Sequence, residues 1–417
     1  MGSVLKTKTK SMRRSLQIAT LIAAFAVAAS LLGSTFALSA GAAKSPCAYA
    51  GVYYPAQRDP SNPLMLPQPP GADPLNGANF FVDGPAHGMA AGAIARLLGM
   101  NPKRLPDSMS WSFFDSVIVP QALLRHPAVA HKVHMLEKIA SQPEPQRFST
   151  WSAGGGPGAI YGQVYKVLCH NMTADPGTIP ILQSMFIYPH GKYCASRKEI
   201  ARNGPTFRRQ VREMARGIGR RPAVILMELD SGATSSCVGS RRLWKADLRY
   251  EINVFSALPH AVVYTEGGYS DANRARYTWR FLNSIGINKI RGFYTNDTHE
   301  QWTINEVRWA EKIVRHTGAH FIVNTAQNGQ GPKWNKHPGK HGVEDLCNPP
   351  GRGLGPVFSV NTGFPNMDAF MWTHTPGRSS GTCNGGPPSG NFWPRRAVHL
   401  AERANQQIGP GFPSRPY

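Results

Sequence analysis

Residues Ala223 to Ser231 read Ala-Val-Ile-Leu-Met-Glu-Leu-Asp-Ser, and the architecture of the chain is inferred outward from them. The first five residues form an apolar run of strand length, which is typical of a parallel strand buried on both faces. In barrels of such strands the chemistry lies at the carboxyl ends, so Asp230 is a candidate general acid. The pattern also predicts that Glu228 faces inward, one layer below Asp230. The alternative is that Asp230 only caps the next segment.

Apolar runs of strand length alternate along the chain with amphipathic helical patterns. This alternation predicts a single α/β domain with a parallel sheet, and eight strand–helix units favour a (β/α) barrel over an open sheet. The predicted strands are Ala78–Asp83, Gln146–Trp151, Ile181–Tyr188, Ala223–Asp230, His260–Thr265, Lys289–Thr295, His320–Thr325 and Asp368–Thr373.

Residues 1–42 have the pattern of a secretory signal peptide. A basic segment precedes an apolar core at residues 18–32, and small residues suited to cleavage follow it. An uncleaved membrane anchor is the alternative, but the apolar stretch is short and no later segment could span a membrane. We therefore expect a secreted protein with an extended Pro-rich lead-in at residues 43–74 and the barrel domain at residues 75–417.

The chain is strongly basic, with a formal net charge of +22. Loss of the signal peptide would leave about +17, which favours contact with anionic wall polymers or membrane surfaces. The alternative is that the charge only keeps a secreted protein soluble. The sequence contains no recognisable nucleic-acid module, so we expect no nucleic-acid partner. We also expect the protein to act as a monomer.

Six cysteines remain in the predicted exported chain, and an even number in an oxidising compartment indicates three disulfides. Fifteen pairings are possible from the sequence. The sequence has neither a C-x-x-C spacing nor an H-E-x-x-H motif, so it predicts no metal site and no cofactor. The cysteines are Cys47, Cys169, Cys194, Cys237, Cys347 and Cys383.

Polar and aromatic residues follow most of the predicted strands. Carboxylates and amides bind sugar hydroxyls, and indole rings stack on pyranose faces, so their convergence at one face predicts a polysaccharide site. The alternative for any single tryptophan is a place in the core. The candidate substrate-binding residues at the strand ends are Trp151, Tyr193, Glu266, Asn296, Trp302, Asn328, Trp372 and His374.

Several blocks of the chain, in this combination and order, resemble glycoside hydrolase family 6, the secreted cellulases and β-1,4-glucanases. The resemblance implies a distorted α/β barrel with a cleft or tunnel across its top. It also implies inverting hydrolysis with Asp230 as the general acid. The blocks are Asp73–Val82, Glu228–Ser231, Arg291–Asn296, His320–Gly329, Leu346–Asn348, Asn361–Gly363 and Asp368–Trp372.

The chain departs from this family pattern around the expected site. Tyr193 stands at the position of a helper aspartate, and His374 at that of a lysine. Ser380 stands where the family carries its candidate base, an aspartate, and Arg378 replaces a glutamate two residues earlier. A serine hydroxyl cannot act as a general base unaided at neutral pH, so we expect Ser380 to contact substrate instead.

The resemblance also implies a disulfide pairing. Cys194 would bond to Cys237 in the loop after the acid, and Cys347 to Cys383 in the loop after the base position. This leaves Cys47 with Cys169.

Two functions are compatible with these residues. The first is a divergent glycoside hydrolase that cleaves β-1,4-linked glucan or a related polysaccharide, with water activated by Glu266, by Asp297 or through a chain of waters. The second is a catalytically silent carbohydrate-binding protein on the same scaffold. The retained Asp230 favours the enzyme, because a binding protein needs no acid at the cleavage point. A basic structural protein of the cell wall would explain the charge but not the residues at the strand ends.

Overall fold

A computed structural model describes residues 72–153, 156–187, 194–334 and 346–416. The predicted signal peptide and the predicted lead-in up to residue 71 lie outside these ranges.

Seven parallel strands form one sheet in a single α/β domain, and they are ordered in space as they are in the chain. Each strand pairs in parallel with the next. The predicted α/β barrel architecture is therefore confirmed, with seven strands. They are β1 Gln146–Ser149, β2 Ile181–Met185, β3 Ala223–Met227, β4 Ala261–Gly268, β5 Gly292–Thr295, β6 His320–Asn324 and β7 Met367–Met371.

The eighth predicted strand, Ala78–Asp83, is not a strand of this sheet. Phe80 makes only an isolated parallel bridge to Ile179, just before β2 begins. Within the described ranges β1 has β2 as its only strand partner and β7 has β6, so the barrel stays open along the seam between β1 and β7. Gln142, before β1, accepts a hydrogen bond of 3.2 Å across this seam from the N–H of Phe358, before β7.

Helices surround the sheet, and none in the described part of the chain is long and apolar enough to cross a membrane. They are α1 Met89–Leu97, α2 Trp111–Phe113, α3 Val119–Arg125, α4 Ala130–Ala140, α5 Thr150–Ala153, α6 Ala159–Ala174, α7 Arg197–Ile218, α8 Arg241–Phe255, α9 Ala275–Ile285, α10 Thr303–Thr317 and α11 Pro394–Glu402. Shorter helical turns are Pro102–Arg104, Phe114–Ile118, Pro127–Val129, Ala233–Ser236, Ile287–Lys289 and Cys383–Gly385.

The apolar run of β3 is explained by burial on both faces of the sheet. Ile225 and Met227 pack against the surrounding helices. Val224 and Leu226 pack inside the barrel. All four are completely buried, and each such side chain stabilises the fold by roughly 1.5–3 kcal/mol relative to an exposed one. A strand with two apolar environments needs an unbroken apolar sequence.

Candidate active site

The chain leaves β3 through a tight turn that carries two carboxylates. The strand ends at Met227, and both Glu228 and Asp230 have left-handed backbone conformations, with φ of 49° and 59°. The N–H of Ser231 donates to the carbonyl of Glu228 at 3.1 Å. Residues with side chains rarely adopt this conformation, and such strained residues cluster at functional sites. The predicted strand was thus three residues too long.

The prediction that Glu228 faces inward below Asp230 is wrong. The Glu228 carboxylate accepts hydrogen bonds of 2.9 Å from the N–H groups of Phe186 and Ile187, which follow β2. It also lies beside the buried Glu251 of α8, on the helix side of the sheet. The left-handed turn breaks the alternation of the strand, so the Glu228 side chain points to the helix side of the sheet. There it links the ends of β2 and β3 by hydrogen bonds and, in the part of the chain that the structure describes, makes no contact that would support Asp230 as the acid. Burial raises its pKa to about 7.

Asp230 is only 4% exposed and is bound by two hydroxyl groups. Tyr269 and Thr298 both donate to Oδ1, Thr298 at 2.8 Å. Burial is the main cause that raises the pKa of Asp230, and the nearby Asp297 adds to it. The two hydroxyl groups act in the opposite direction because they stabilise the carboxylate. Both donors use Oδ1, so among the described residues Oδ2 is the oxygen left to carry a proton.

A short chain of contacts fixes the Tyr269 hydroxyl at Asp230. The Tyr269 ring stacks on His299 with 3.9 Å between the ring centroids. His299 Nδ1 contacts Asp271 at 3.0 Å. Tyr269 and Thr298 are not among the site residues predicted from the sequence. The signal for Tyr269 was its place at the end of a strand, whereas nothing in the sequence marked Thr298.

Glu266 is completely buried and holds the loop that follows Asp230. Its carboxylate accepts hydrogen bonds from the N–H groups of Gly232, Ala233 and Gly268. Burial, followed by repulsion from Asp230, raises its pKa well above the usual range. A Cβ at Gly232 would lie 2.6 Å from the carbonyl oxygen of Glu266, so this contact requires glycine. The predicted contact of Glu266 with substrate is therefore corrected, because its oxygens bind the backbone.

Asn296 and Asn328, also predicted to bind substrate, are buried and engaged elsewhere. Asn296 Nδ2 donates to the carbonyls of Gln301 and Asn324 at 3.1 and 3.0 Å. Asn328 Nδ2 donates to the Gln301 carbonyl and to Thr303 Oγ1, both at 2.9 Å. These side chains fix the loops after β5 and β6, so they support the site from below and do not line it.

The predicted aromatic contacts divide into three cases. Trp151 is 55% exposed and offers an open ring face. Trp302 is half-buried, and a Cβ at Gly331 would lie 2.3 Å from its ring, so the indole packs closely on that glycine. Trp372 is 1% exposed, and its N–H donates to the carbonyl of Pro356 at 3.1 Å. Trp372 is thus a core residue, which corrects its prediction as a sugar platform.

The remaining predicted contacts lie after β7 or outside the described residues. His374 contacts Gln327 at 2.6 Å, and its Nδ1 lies 3.8 Å from Asp297. Ser380 is exposed, and its N–H donates to Asn348 Oδ1 at 2.9 Å. Tyr193 falls in the range 188–193, which the structure does not describe.

Both disulfides implied by the resemblance are confirmed. Cys194 is bonded to Cys237 with a Cα–Cα distance of 5.3 Å, and Cys347 to Cys383 with 6.0 Å. The first joins the start of α7 to the loop after Asp230, and the second fixes the loop that carries Ser380. Cys169 is disulfide-bonded as well, whereas Cys47 lies outside the described residues.

A second carboxylate, which sequence analysis did not find, lies at the open seam. Glu144 stands between two prolines just before β1, and its Oε2 accepts a hydrogen bond of 3.1 Å from Thr375, in the loop that leads to Ser380. Its Oε1 is buried without a hydrogen-bond partner among the described residues. Burial raises the pKa of Glu144 to about 8, whereas Arg378 favours the ionised form. A charged residue between prolines at a strand start was the available signal.

Arg378 lies near this carboxylate, and Arg147 lies near Arg378. Arg378 Nε donates to the carbonyl of Gly390 at 3.1 Å, and burial followed by repulsion from Arg147 lowers its pKa to about 10. Arg147 Nε donates to Gln183 Oε1 at 2.6 Å. The side of the cleft that lost the expected aspartate therefore contains the carboxylates of Glu144 and Asp83 and two guanidinium groups.

Stability should fall as the pH rises, because several buried carboxyl groups prefer to be neutral. The pKa values of Glu228 and Glu306 are raised by burial to about 7, and that of Glu144 to about 8. A raised pKa means that the folded state binds protons more tightly than the unfolded state, so the contribution is present at low pH and is lost on ionisation.

We expect the midpoint of thermal unfolding to fall by roughly 5 °C or more between about pH 5 and about pH 9. Circular dichroism melting curves in a series of buffers measure this. A midpoint that rises over the same range would contradict the burial of these groups in neutral form.

Comparison with known proteins places these residues in a family. Residues 195–404 match the model of glycosyl hydrolases family 6, which covers half of the chain. Endoglucanase A of Cellulomonas fimi is 29% identical over 273 residues, which are 65% of this chain and 56% of that protein. Endoglucanase 1 of Streptomyces sp. (strain KSM-9) is 29% identical, over 64% of this chain and 70% of that one.

Solved structures agree with the sequence comparison. The endoglucanase Cel6 from Mycobacterium tuberculosis, solved in complex with methyl-cellobiosyl-4-deoxy-4-thio-β-D-cellobioside, superposes with a TM-score of 0.62 at 27% identity, covering 80% of this chain and 99% of that one. A family 6 enzyme from Orpinomyces sp. Y102 has a TM-score of 0.60 at 20% identity and shares the fold. The barrel and the turn at Asp230 agree with these matches, and the chain belongs to glycosyl hydrolases family 6.

Proposed function

We propose that this protein is a secreted glycoside hydrolase that cleaves β-1,4-linked glucan or a related polysaccharide with inversion, and that Asp230 is its general acid. The environment of Asp230 carries the proposal. Its carboxyl group is buried, has a raised pKa and accepts hydrogen bonds from Tyr269 and Thr298 through Oδ1. A group that protonates a leaving oxygen must hold its proton near neutral pH.

The substrate class is proposed from the relatives. The Cellulomonas and Streptomyces proteins are endoglucanases, and the Mycobacterium enzyme was solved with a cellobiose-based thio-oligosaccharide. The predicted signal peptide and the disulfides support export, because disulfides persist in oxidising compartments. We infer that the protein acts as a monomer.

In the proposed reaction, Asp230 Oδ2 gives its proton to the glycosidic oxygen as the bond from that oxygen to C1 breaks. A water molecule adds to C1 from the opposite face of the sugar and loses a proton to a carboxylate base. The products are an alcohol and a sugar of inverted, α configuration. Asp297 assists, since its charge disfavours ionisation of Asp230.

Glu144 is the carboxylate that we propose as the base. The two alternatives suggested by the sequence are less suited: Glu266 is bound by three backbone N–H groups, and Asp297 is completely buried and accepts a hydrogen bond from Thr373. Glu144 instead has one oxygen without a partner among the described residues and adjoins the loop that carries Ser380. Burial raises the pKa of Glu144 to about 8 and Arg378 partly opposes this, so the carboxylate becomes able to accept a proton as the pH approaches that value.

A silent carbohydrate-binding protein is the second candidate function. The exposed Ser380 in place of the family aspartate and the open ring of Trp151 favour it. The burial of Trp372 weakens it, because one of the three proposed sugar platforms offers no ring face.

The test is hydrolysis of a soluble β-1,4-glucan by the mature chain, residues 43–417. New reducing ends should appear, and proton NMR of the first products should detect the α-anomer before mutarotation. β-Anomer as the first product would exclude inversion. Binding of glucan without any release of reducing ends would support the carbohydrate-binding protein instead.

A further inference from the structure

The outer surface of α7 and α8 is unusually rich in exposed basic residues. α7 contains seven arginine and lysine residues against two acidic ones, and α8 contains four against two. None of these four acidic residues is exposed: Asp247 and Glu251 are buried, and Glu199 and Glu213 are half-buried. The surface charge of the two helices is therefore more positive than their composition indicates.

None of the basic side chains belongs to the buried stripes of the two helices, which face the sheet. They form one continuous surface, because Arg208 of α7 forms a 3.1 Å ion pair with Asp247 of α8 and Arg212 donates to Tyr250 at 2.8 Å. We call this surface the α7/α8 face. Its exposed basic residues are Arg197, Lys198, Arg202, Arg208, Arg212, Arg216, Arg241, Arg242 and Arg249.

The dimensions of the α7/α8 face suit an extended ligand. α7 has 22 residues, and at a rise of about 1.5 Å per residue it is roughly 33 Å long. The face lies on the outer wall of the barrel, whereas Asp230 lies at the carboxyl end of β3. A polymer bound to the face would therefore leave the candidate active site free.

We propose that the α7/α8 face binds an extracellular acidic polysaccharide through its carboxylate groups. All of its exposed basic residues except Lys198 are arginines, whose planar guanidinium groups bind carboxylates with two parallel hydrogen bonds. Every residue of both helices is described, and none of the large exposed apolar residues belongs to them. The face thus offers no apolar anchor for a membrane and no exposed aromatic ring for single-stranded nucleic acid. The proposal is independent of hydrolysis at Asp230.

The test is binding of the mature chain to polygalacturonate, with neutral hydroxyethyl cellulose as the reference, by titration calorimetry at several salt concentrations. The affinity for polygalacturonate should fall steeply between about 50 and about 200 mM salt. The triple variant Lys198→Glu/Arg202→Glu/Arg242→Glu should lose affinity for polygalacturonate by roughly tenfold or more, while its hydrolysis of a neutral glucan is unchanged. Within the described part of the chain these three side chains make no hydrogen bond or ion pair, so the variant should fold.

A matched variant separates the face from the overall charge. Arg96→Glu/Arg104→Glu/Lys132→Glu changes the net charge by the same amount on exposed residues outside α7 and α8, and it should lose less than about threefold. Equal losses in both variants would overturn the proposal, as would equal affinity for the neutral polymer. Tighter binding to phosphatidylglycerol vesicles or to polyphosphate than to polygalacturonate would also overturn it, because the partner would then belong to another class.

Discussion

Replacing Asp230 by Asn should lower kcat on a soluble β-1,4-glucan by about a hundredfold or more while glucan binding persists. The amide keeps the shape of the side chain and still accepts hydrogen bonds from Tyr269 and Thr298, but it has no acidic proton to give to the leaving oxygen. Steady-state kinetics and equilibrium binding of an oligosaccharide separate the two effects.

The matched control is Asp175→Asn. Asp175 follows α6 and precedes β2, so it lies at the end of the barrel opposite the carboxyl ends of the strands. This variant should keep full activity. If Asp230→Asn retained activity within about threefold of the unchanged protein, Asp230 would not be the acid.

Glu144→Gln should lower kcat by about tenfold to a thousandfold, because an amide cannot take the proton of the attacking water. The pH profile gives a second measurement. The base must be ionised, and the pKa of Glu144 is raised to about 8, so activity of the unchanged protein should increase as pH rises toward that value. The acidic limb of the profile should disappear in the variant, which a merely structural role would not produce.

Glu144→Ala with added azide tests the same role chemically. Azide needs no base, so it should restore turnover and yield a glycosyl azide of α configuration. Glu137→Gln in α4, away from the seam, is the control and should behave like the unchanged protein. Glu144 would have only a structural role if kcat fell in Glu144→Gln with an unchanged pH profile and azide did not restore turnover in Glu144→Ala.

The apolar pattern was sufficient to identify all seven strands of the sheet. Each of them is buried on one or both faces, and this burial requires apolar residues at successive or alternating positions, which the sequence shows directly. The ends of the strands were less predictable. Residues Ala223–Asp230 were predicted as one strand, yet the backbone is left-handed at Glu228 and Asp230. Hydrogen bonds between Glu228 and a distant segment stabilise this backbone, which local preference disfavours.

The sequence by itself determined the fold class, the position of Asp230 after a buried strand and, through the family resemblance, both disulfides. These are properties of adjacent residues or of recognisable blocks. Only the tertiary structure decided which polar residues have atoms available for chemistry. Three residues stand at strand ends as site residues would, but their side chains are hydrogen-bonded to backbone groups: Glu266, Asn296 and Asn328. Glu144 instead precedes its strand, and its side chain is hydrogen-bonded across the open seam to the loop after β7. The role of each side chain depends on hydrogen-bond partners that are distant in the sequence, and a pattern of neighbouring residues does not reveal those partners.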